Sequence, residues 1–246
     1  MIGLPSPPPY RVEGSGPLLV YISGLDGTGE LFFKQIEHLK HAYRVVSFRS
    51  RETGLFTYED LVNDLAAIIR DIGEVRATIL GESFGGTVAL NFALRYPEMV
   101  ERLVVINSFP RFRSRLKIKL AVRLASGLPF RLLWPLRRFS NTLGLFIDGV
   151  RAEERNVFWK AIRTVSAEGY SRRLQLISEL DVVDRLGEIQ SPSLFIAGER
   201  DLLVPSAKEA IAMAARMPHA TVKIVRGAGH ACLLGERVNL AQLLGE

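Results

Sequence analysis

The segment Ala77-Thr78-Ile79-Leu80-Gly81-Glu82-Ser83-Phe84-Gly85-Gly86-Thr87-Val88 changes character in its middle. Its first five residues form a short, largely apolar run, the pattern of a strand buried on both faces of a parallel sheet. From Gly85 to Tyr96 the apolar residues recur at helical spacing. The junction, Gly81-Glu82-Ser83-Phe84-Gly85, is a Gly-x-Ser-x-Gly pentapeptide. A serine hydroxyl is a poor nucleophile until its oxygen is freely presented and its proton can be removed. A sharp strand-to-helix turn lifts Ser83 above the sheet, and the flanking glycines let neighbouring backbone approach without a Cβ clash. The helix amino terminus beneath it favours developing negative charge. By itself the pentapeptide is a weak signal, because a glycine-rich turn with an exposed serine reads the same way. The strand before it and the helix after it make it stronger.

Outward from this point the same alternation repeats. Further strands are expected at Leu18 to Ser23, Arg44 to Phe48, Leu103 to Asn107, Leu194 to Ala197 and Val222 to Val225. Helices are expected at Glu30 to Lys40, Tyr58 to Ile72, Gly85 to Tyr96, Ser206 to Met217 and Glu236 to Leu244, with Thr57 and Asp60 set as a capping box for the second. A short extra strand fits near Tyr10 to Glu13, which predicts a doubly wound, mostly parallel α/β sheet of six or seven strands.

The rhythm breaks after Pro110, where helical periodicity continues without a strand to about Leu180. So long a connection is read as a helical cap. Residues 1–109 and 181–246 are then the core, and residues 110–180 the insertion. Between residues 110 and 175 there are 15 Lys or Arg and four acids, a local charge of +11; the whole chain carries +6, which leaves −5 elsewhere. Arg111, Arg115, Lys119 and Arg123 recur every four residues alongside Phe112, Leu116, Leu120 and Leu124. Such a basic amphipathic stripe suits an anionic membrane surface or an acidic acyl-carrier protein, or is simply a solvated face. Nothing resembles a nucleic-acid recognition module.

Composition excludes other classes. A 246-residue chain that is 48% hydrophobic can bury a single large core. One cysteine, Cys232, supports neither a disulfide framework nor a cysteine zinc site. No run approaches the roughly 18 to 20 apolar residues of a membrane span, and the proline-rich start lacks the basic region of a secretory signal. A cytoplasmic protein is expected, with peripheral attachment to a membrane left open. Phosphate-loop and His-Glu-x-x-His zinc motifs are missing from the sequence.

Two more motifs follow predicted strands. Ala197-Gly198-Glu199-Arg200-Asp201 puts an aspartate at the carboxyl edge of the sheet, where open α/β folds bind ligands. Gly227-Ala228-Gly229-His230 puts an imidazole in a loop that can come close to other groups. Taken singly, Asp201 reads equally as a turn residue and His230 as a surface histidine. The order Ser83, Asp201, His230 is that of nucleophile, acid and histidine in α/β-hydrolases, and the chain resembles that superfamily over nearly its full length. The loop Ser23-Gly24-Leu25-Asp26-Gly27-Thr28-Gly29 is similar to that of the esterase/lipase/thioesterase branch containing plant phytyl ester synthases. It has Ser23 where many relatives carry histidine, so its bracing must differ.

The resemblance implies a cofactor-independent serine esterase or lipase acting on hydrophobic acyl esters. Ser83 is the expected nucleophile, His230 the base, Asp201 its orienting acid, and the N–H groups of Phe84 and Leu25 the oxyanion hole. Asp26 would brace that loop through an Asx turn, or be a plain turn residue. Phe112, Trp134, Phe158 and Trp159 are candidate walls of the acyl pocket. The same machinery serves an acyltransferase or a hydrolase of carrier-bound methyl esters or thioesters, and a non-catalytic receptor is a further alternative.

Overall fold

A computed structural model describes residues 8–114, 118 and 150–245. Among the described residues, seven strands form one sheet in the order β1-β3-β2-β4-β5-β6-β7. They are β1 (Tyr10–Glu13), β2 (Leu18–Ile22), β3 (Arg44–Phe48), β4 (Ala77–Glu82), β5 (Val100–Ile106), β6 (Ser193–Gly198) and β7 (Ala220–Val225). Only β1 runs antiparallel, with Tyr10 opposite Phe48; the other pairings are parallel.

The period-two alternation of each strand divides its side chains between two cores. Val20, Val46, Ile79, Leu103, Val105 and Phe195 face α2 (Tyr58–Asp71), α3 (Phe84–Arg95) and α6 (Ser206–Ala214). Leu19, Tyr21, Val45, Leu80, Val104, Ile106, Leu194 and Ile196 face α1 (Phe33–Leu39) and α7 (Leu240–Leu244). At the start of α2, Thr57 accepts from the Asp60 N–H at 3.2 Å while the Asp60 carboxylate accepts from the Thr57 N–H at 2.8 Å, closing the capping box.

Several expectations need correcting. The first helix is split, with a 3₁₀ turn at Glu30–Phe32 ahead of α1. The last begins only at Leu240, where the Asn239 side chain caps it, after a separate 3₁₀ turn at Cys232–Leu234. β7, the outermost strand, is not buried on both faces: Thr221, Lys223 and Ile224 are exposed. β5 starts three residues early, hidden in the sequence by the exposed Glu101.

The described part of the segment between β5 and β6 holds α4 (Ala152–Arg163) and α5 (Ala167–Glu179). Phe158, Ala161, Ile162 and Val165 pack with Leu31, Ala231 and Leu234 in a third cluster. Glu154 accepts from Lys34 of α1 at 3.0 Å, Ser166 donates to Glu52 O, and Arg172 to Phe56 O. No described helix is long and apolar enough to cross a membrane.

Candidate active site

The carboxyl ends of β4, β5, β6 and β7 carry the polar cluster. After β4 the chain turns directly into α3, forcing Ser83 to φ 55° and ψ −118°, a conformation ordinary residues avoid. The turn leaves no room at Gly85, where a Cβ would sit 2.0 Å from Ile22 O. His230 Nε2 lies 3.0 Å from Ser83 Oγ, and His230 Nδ1 lies 2.7 Å from Asp201 Oδ2. Three residues spread over 147 positions therefore form one hydrogen-bonded chain.

Asp201 is fixed from several sides. Its Oδ1 accepts the N–H groups of Leu203 and Val204 at 2.9 and 3.1 Å, and its Oδ2 also accepts the Ser206 hydroxyl. Burial would raise its pKa, but the bonds and charge of His230, with those of Ser206 and Val204, hold it below the usual aspartate range. Burial likewise opposes a charged His230. The hydrogen bond and charge of Asp201, aided by Glu82, outweigh it and raise the imidazole above its ordinary value.

Glu82 is the neighbour that sequence reading passed over. Its Oε2 accepts the Tyr21 hydroxyl at 2.9 Å, and the Tyr21 ring stacks on Phe32 at 3.9 Å. Burial pushes this carboxyl up to about 7, against the opposing pull of His230 and Tyr21.

Asn107 and Ser108, just past β5, were also not singled out. Asn107 Oδ1 accepts the Gly198 N–H at 2.8 Å, and its Nδ2 donates to Gly229 O at 3.1 Å and His230 O at 2.7 Å. One amide thus ties the strand end leading to Asp201 to the loop bearing His230. Ser108 Oγ donates to Ser83 O at 2.7 Å. The positive φ of Asn107, 46°, is a conformation asparagine tolerates better than most residues.

The loop after β2 faces the serine: a Cβ at Gly24 would lie 3.5 Å from Ser83 Cβ. Asp26 forms the Asx turn, its Oδ2 accepting the Thr28 N–H at 2.9 Å and the Thr28 hydroxyl at 2.6 Å. Phe84 is the first residue of α3, where helix N–H groups lack intrahelical partners. A cavity of about 140 Å³ opens over Ser83 and His230, with Leu25, Leu31, Phe158, Ile162, Tyr170, Leu203 and Leu234 among its walls.

Of the proposed acyl-pocket aromatics, Phe158 lines this cavity. Trp159 is not among its lining residues; it meets the Phe158 ring edge-on at 5.0 Å. Phe112 is also absent from the lining and packs on Phe109 at 5.3 Å beside the main core. Trp134 lies outside the described residues. Among the described residues, no three His, Cys, Asp or Glu side chains gather as a metal site would need.

A family model described as alpha/beta hydrolase fold matches residues 17–236. The curated relative named "Putative carbamate hydrolase RutD" from Cronobacter turicensis is 30% identical over 239 residues, covering 88% of this chain and 85% of its own. Its namesake from Pantoea ananatis is 28% identical, covering 90% and 86%. The crystal structure of a hydrolase from Pseudomonas aeruginosa matches with a TM-score of 0.84 at 20% identity, over 96% of this chain and 94% of that one. The esterase EaEST from Exiguobacterium antarcticum matches with a TM-score of 0.82 at 19% identity, over 96% and 92%. At such identities the superpositions speak for the fold. The family model reaches from just before β2 to just before α7, across every strand end that bears the polar cluster, and the chain therefore belongs to the alpha/beta hydrolase family.

Proposed function

We propose that Ser83, His230 and Asp201 act as the catalytic triad of a serine hydrolase that cleaves carboxylic esters of hydrophobic acyl groups. The observation that carries this reading is the chain Asp201–His230–Ser83, with links of 2.7 and 3.0 Å. Ser83 Oγ attacks the acyl carbonyl carbon while His230 Nε2 takes its proton. The N–H groups of Phe84 and Leu25 receive the resulting oxyanion. Collapse breaks the ester C–O bond, and His230 returns the proton to the leaving alcohol. Water then repeats the sequence on the acyl-enzyme and frees Ser83. Asp201, ionised and held by several donors, keeps Nδ1 protonated and stabilises the imidazolium. The apolar cavity walls favour a hydrocarbon acyl group over a charged one.

The curated relatives support a second reading, in which the attacked carbonyl belongs to a carbamate and the intermediate is a carbamoyl-enzyme. Triad and oxyanion donors serve both. One panel separates them: p-nitrophenyl esters of increasing acyl length beside the matched carbamates, each with and without a competing alcohol. Esters should be turned over faster, and Ser83→Ala should abolish both turnover and fluorophosphonate labelling while the fold persists. Faster carbamate turnover would favour the second reading. Labelling that survives in Ser83→Ala would remove Ser83 as nucleophile.

A further inference from the structure

Arg173, on α5, has no solvent exposure, although it belongs to the most basic part of the sequence. Burying a guanidinium is costly unless its donors are met, and a well-packed apolar side chain of similar volume is often at least as stable. Here the donors are met by carbonyls. Nε donates to Leu25 O at 3.0 Å, Nη2 to Asp26 O at 3.1 Å and Nη1 to Arg51 O at 2.8 Å. Burial draws its pKa down, opposed by the nearby charges of Asp26 and Glu52.

The first two carbonyls belong to the loop facing Ser83. In that loop the Gly27 N–H bonds Gly24 O at 3.1 Å, fixing the peptide plane that carries the Leu25 N–H. Arg173 fixes the next two planes through the Leu25 and Asp26 carbonyls. Gly27, at φ 67°, is shaped around the guanidinium: a Cβ there would stand 2.5 Å from Arg173 Cζ. Lysine, with one compact ammonium, cannot meet three divergent carbonyls as a planar fork does.

We infer that Arg173 is the positioning residue of the oxyanion loop, doing from the inserted helix α5 the bracing that the absent histidine beside Gly24 would otherwise supply. The inference rests on the serine-hydrolase reading, in which Leu25 N–H meets the oxyanion. It also makes the seating of α5 a condition for an assembled oxyanion hole.

The test compares wild type, Arg173→Met and Arg173→Lys on a p-nitrophenyl ester and on its thionoester, whose C=S replaces C=O. An aligned oxyanion hole favours oxygen strongly, so the rate ratio of the two substrates reports its alignment and is insensitive to a general loss of folded enzyme. Arg173→Met should lower kcat by about 10- to 100-fold with KM nearly unchanged, the range expected when oxyanion donors are misplaced. The ester-to-thionoester ratio should fall in parallel, and Arg173→Lys should lie between. Should Arg173→Met fail to fold, Arg173→Lys must still show the reduced ratio. Unchanged kcat, or lower kcat with an unchanged ratio, would overturn the inference while leaving the triad reading intact. A wild-type protein without Ser83-dependent turnover would instead overturn the triad reading, and this inference with it.

Discussion

Ser83 stands at φ 55°, and a non-glycine residue held there costs of order 1–3 kcal/mol, a strain that surrounding packing must offset. Its partner His230 has two carboxyls acting on it, and they differ in kind. Asp201 is hydrogen-bonded to the imidazole and stays ionised, whereas Glu82 sits next to Ser83 in sequence with its own titration raised to about 7. In the proposed mechanism His230 must be neutral to accept the serine proton, so the acid limb of kcat/KM should follow the raised imidazole value. Glu82→Gln removes a negative charge while leaving an oxygen for the Tyr21 hydroxyl. It should lower the His230 pKa and move the acid limb to lower pH, as read from kcat/KM between pH 5 and 9. A limb that stays in place, or moves up, would show that Glu82 does not act on the imidazole. The three residues of the Asp201–His230–Ser83 chain, the proposed triad, were legible in sequence because each stood in a short motif after an apolar strand. Glu82 was not: an x position of the Gly-x-Ser-x-Gly pentapeptide says nothing of what its side chain meets, and Tyr21, 61 residues away, meets it.

The element that joins these loops is the end of β5. From Asn107, one side chain reaches Gly198 at the end of β6 and both Gly229 and His230 after β7, so the strand end leading to Asp201 and the His230 loop keep a common register. Asn107→Asp tests this without changing size. The Oδ1 bond to Gly198 survives, but an oxygen replaces Nδ2 and faces two carbonyl oxygens, so the His230 loop loses its hold while the Asp201 side keeps it. We expect kcat to fall by more than about 10-fold with little change in KM, because a small displacement of a catalytic group carries a large rate penalty. Near-UV circular dichroism would confirm an intact core, and wild-type kcat would count against the bridging role. Strand positions were readable from period and turn residues, since parallel strands buried on both faces show as bare apolar runs. Which strand end ties which loop was not, because an asparagine after a strand looks like any other turn residue. The split before α1 and the late start of α7 were missed for a similar reason: 3₁₀ turns keep nearly the same apolar spacing as α-helix.

Over the whole molecule, the charge asymmetry becomes partly a fastening. Arg111 pairs with Asp181, Arg113 with Glu209, Arg151 with Glu236 and Arg172 with Glu179, each joining a base of the inserted region to an acid outside residues 110–175. With Arg173 buried, five described bases counted in the +11 are already engaged, so the sequence tally overstates the charge available to a partner. Sequence could count these charges but not distribute them, since helical spacing does not reveal which side of α5 turns inward. A larger electrostatic cost lies within the site. Glu82 has its pKa raised on folding from 4.5 to about 7, so the fold binds its proton more tightly than the unfolded chain does. The stability this contributes is fully present below the unfolded value and is lost as pH rises through the folded one. At pH 8 the ionised Glu82 should weaken the fold by at most about 3 kcal/mol relative to pH 4. Its partner His230, also raised, loses its contribution over the upper part of the same range, whereas Asp201, held low, loses its contribution only in acid. Glu82→Gln cancels the first effect, reduces that of His230 by removing a charge that raises its pKa, and leaves that of Asp201 in place. Its melting temperature should exceed that of wild type by up to roughly 6–12 °C at pH 8, on the scale of 2–4 °C per kcal/mol for a domain of this size, with the gap closing toward pH 4. Scanning both proteins at five or six pH values decides the matter: a gap independent of pH would mean that the Glu82 carboxyl is not held protonated by its burial, and that the imidazole faces a permanently charged neighbour.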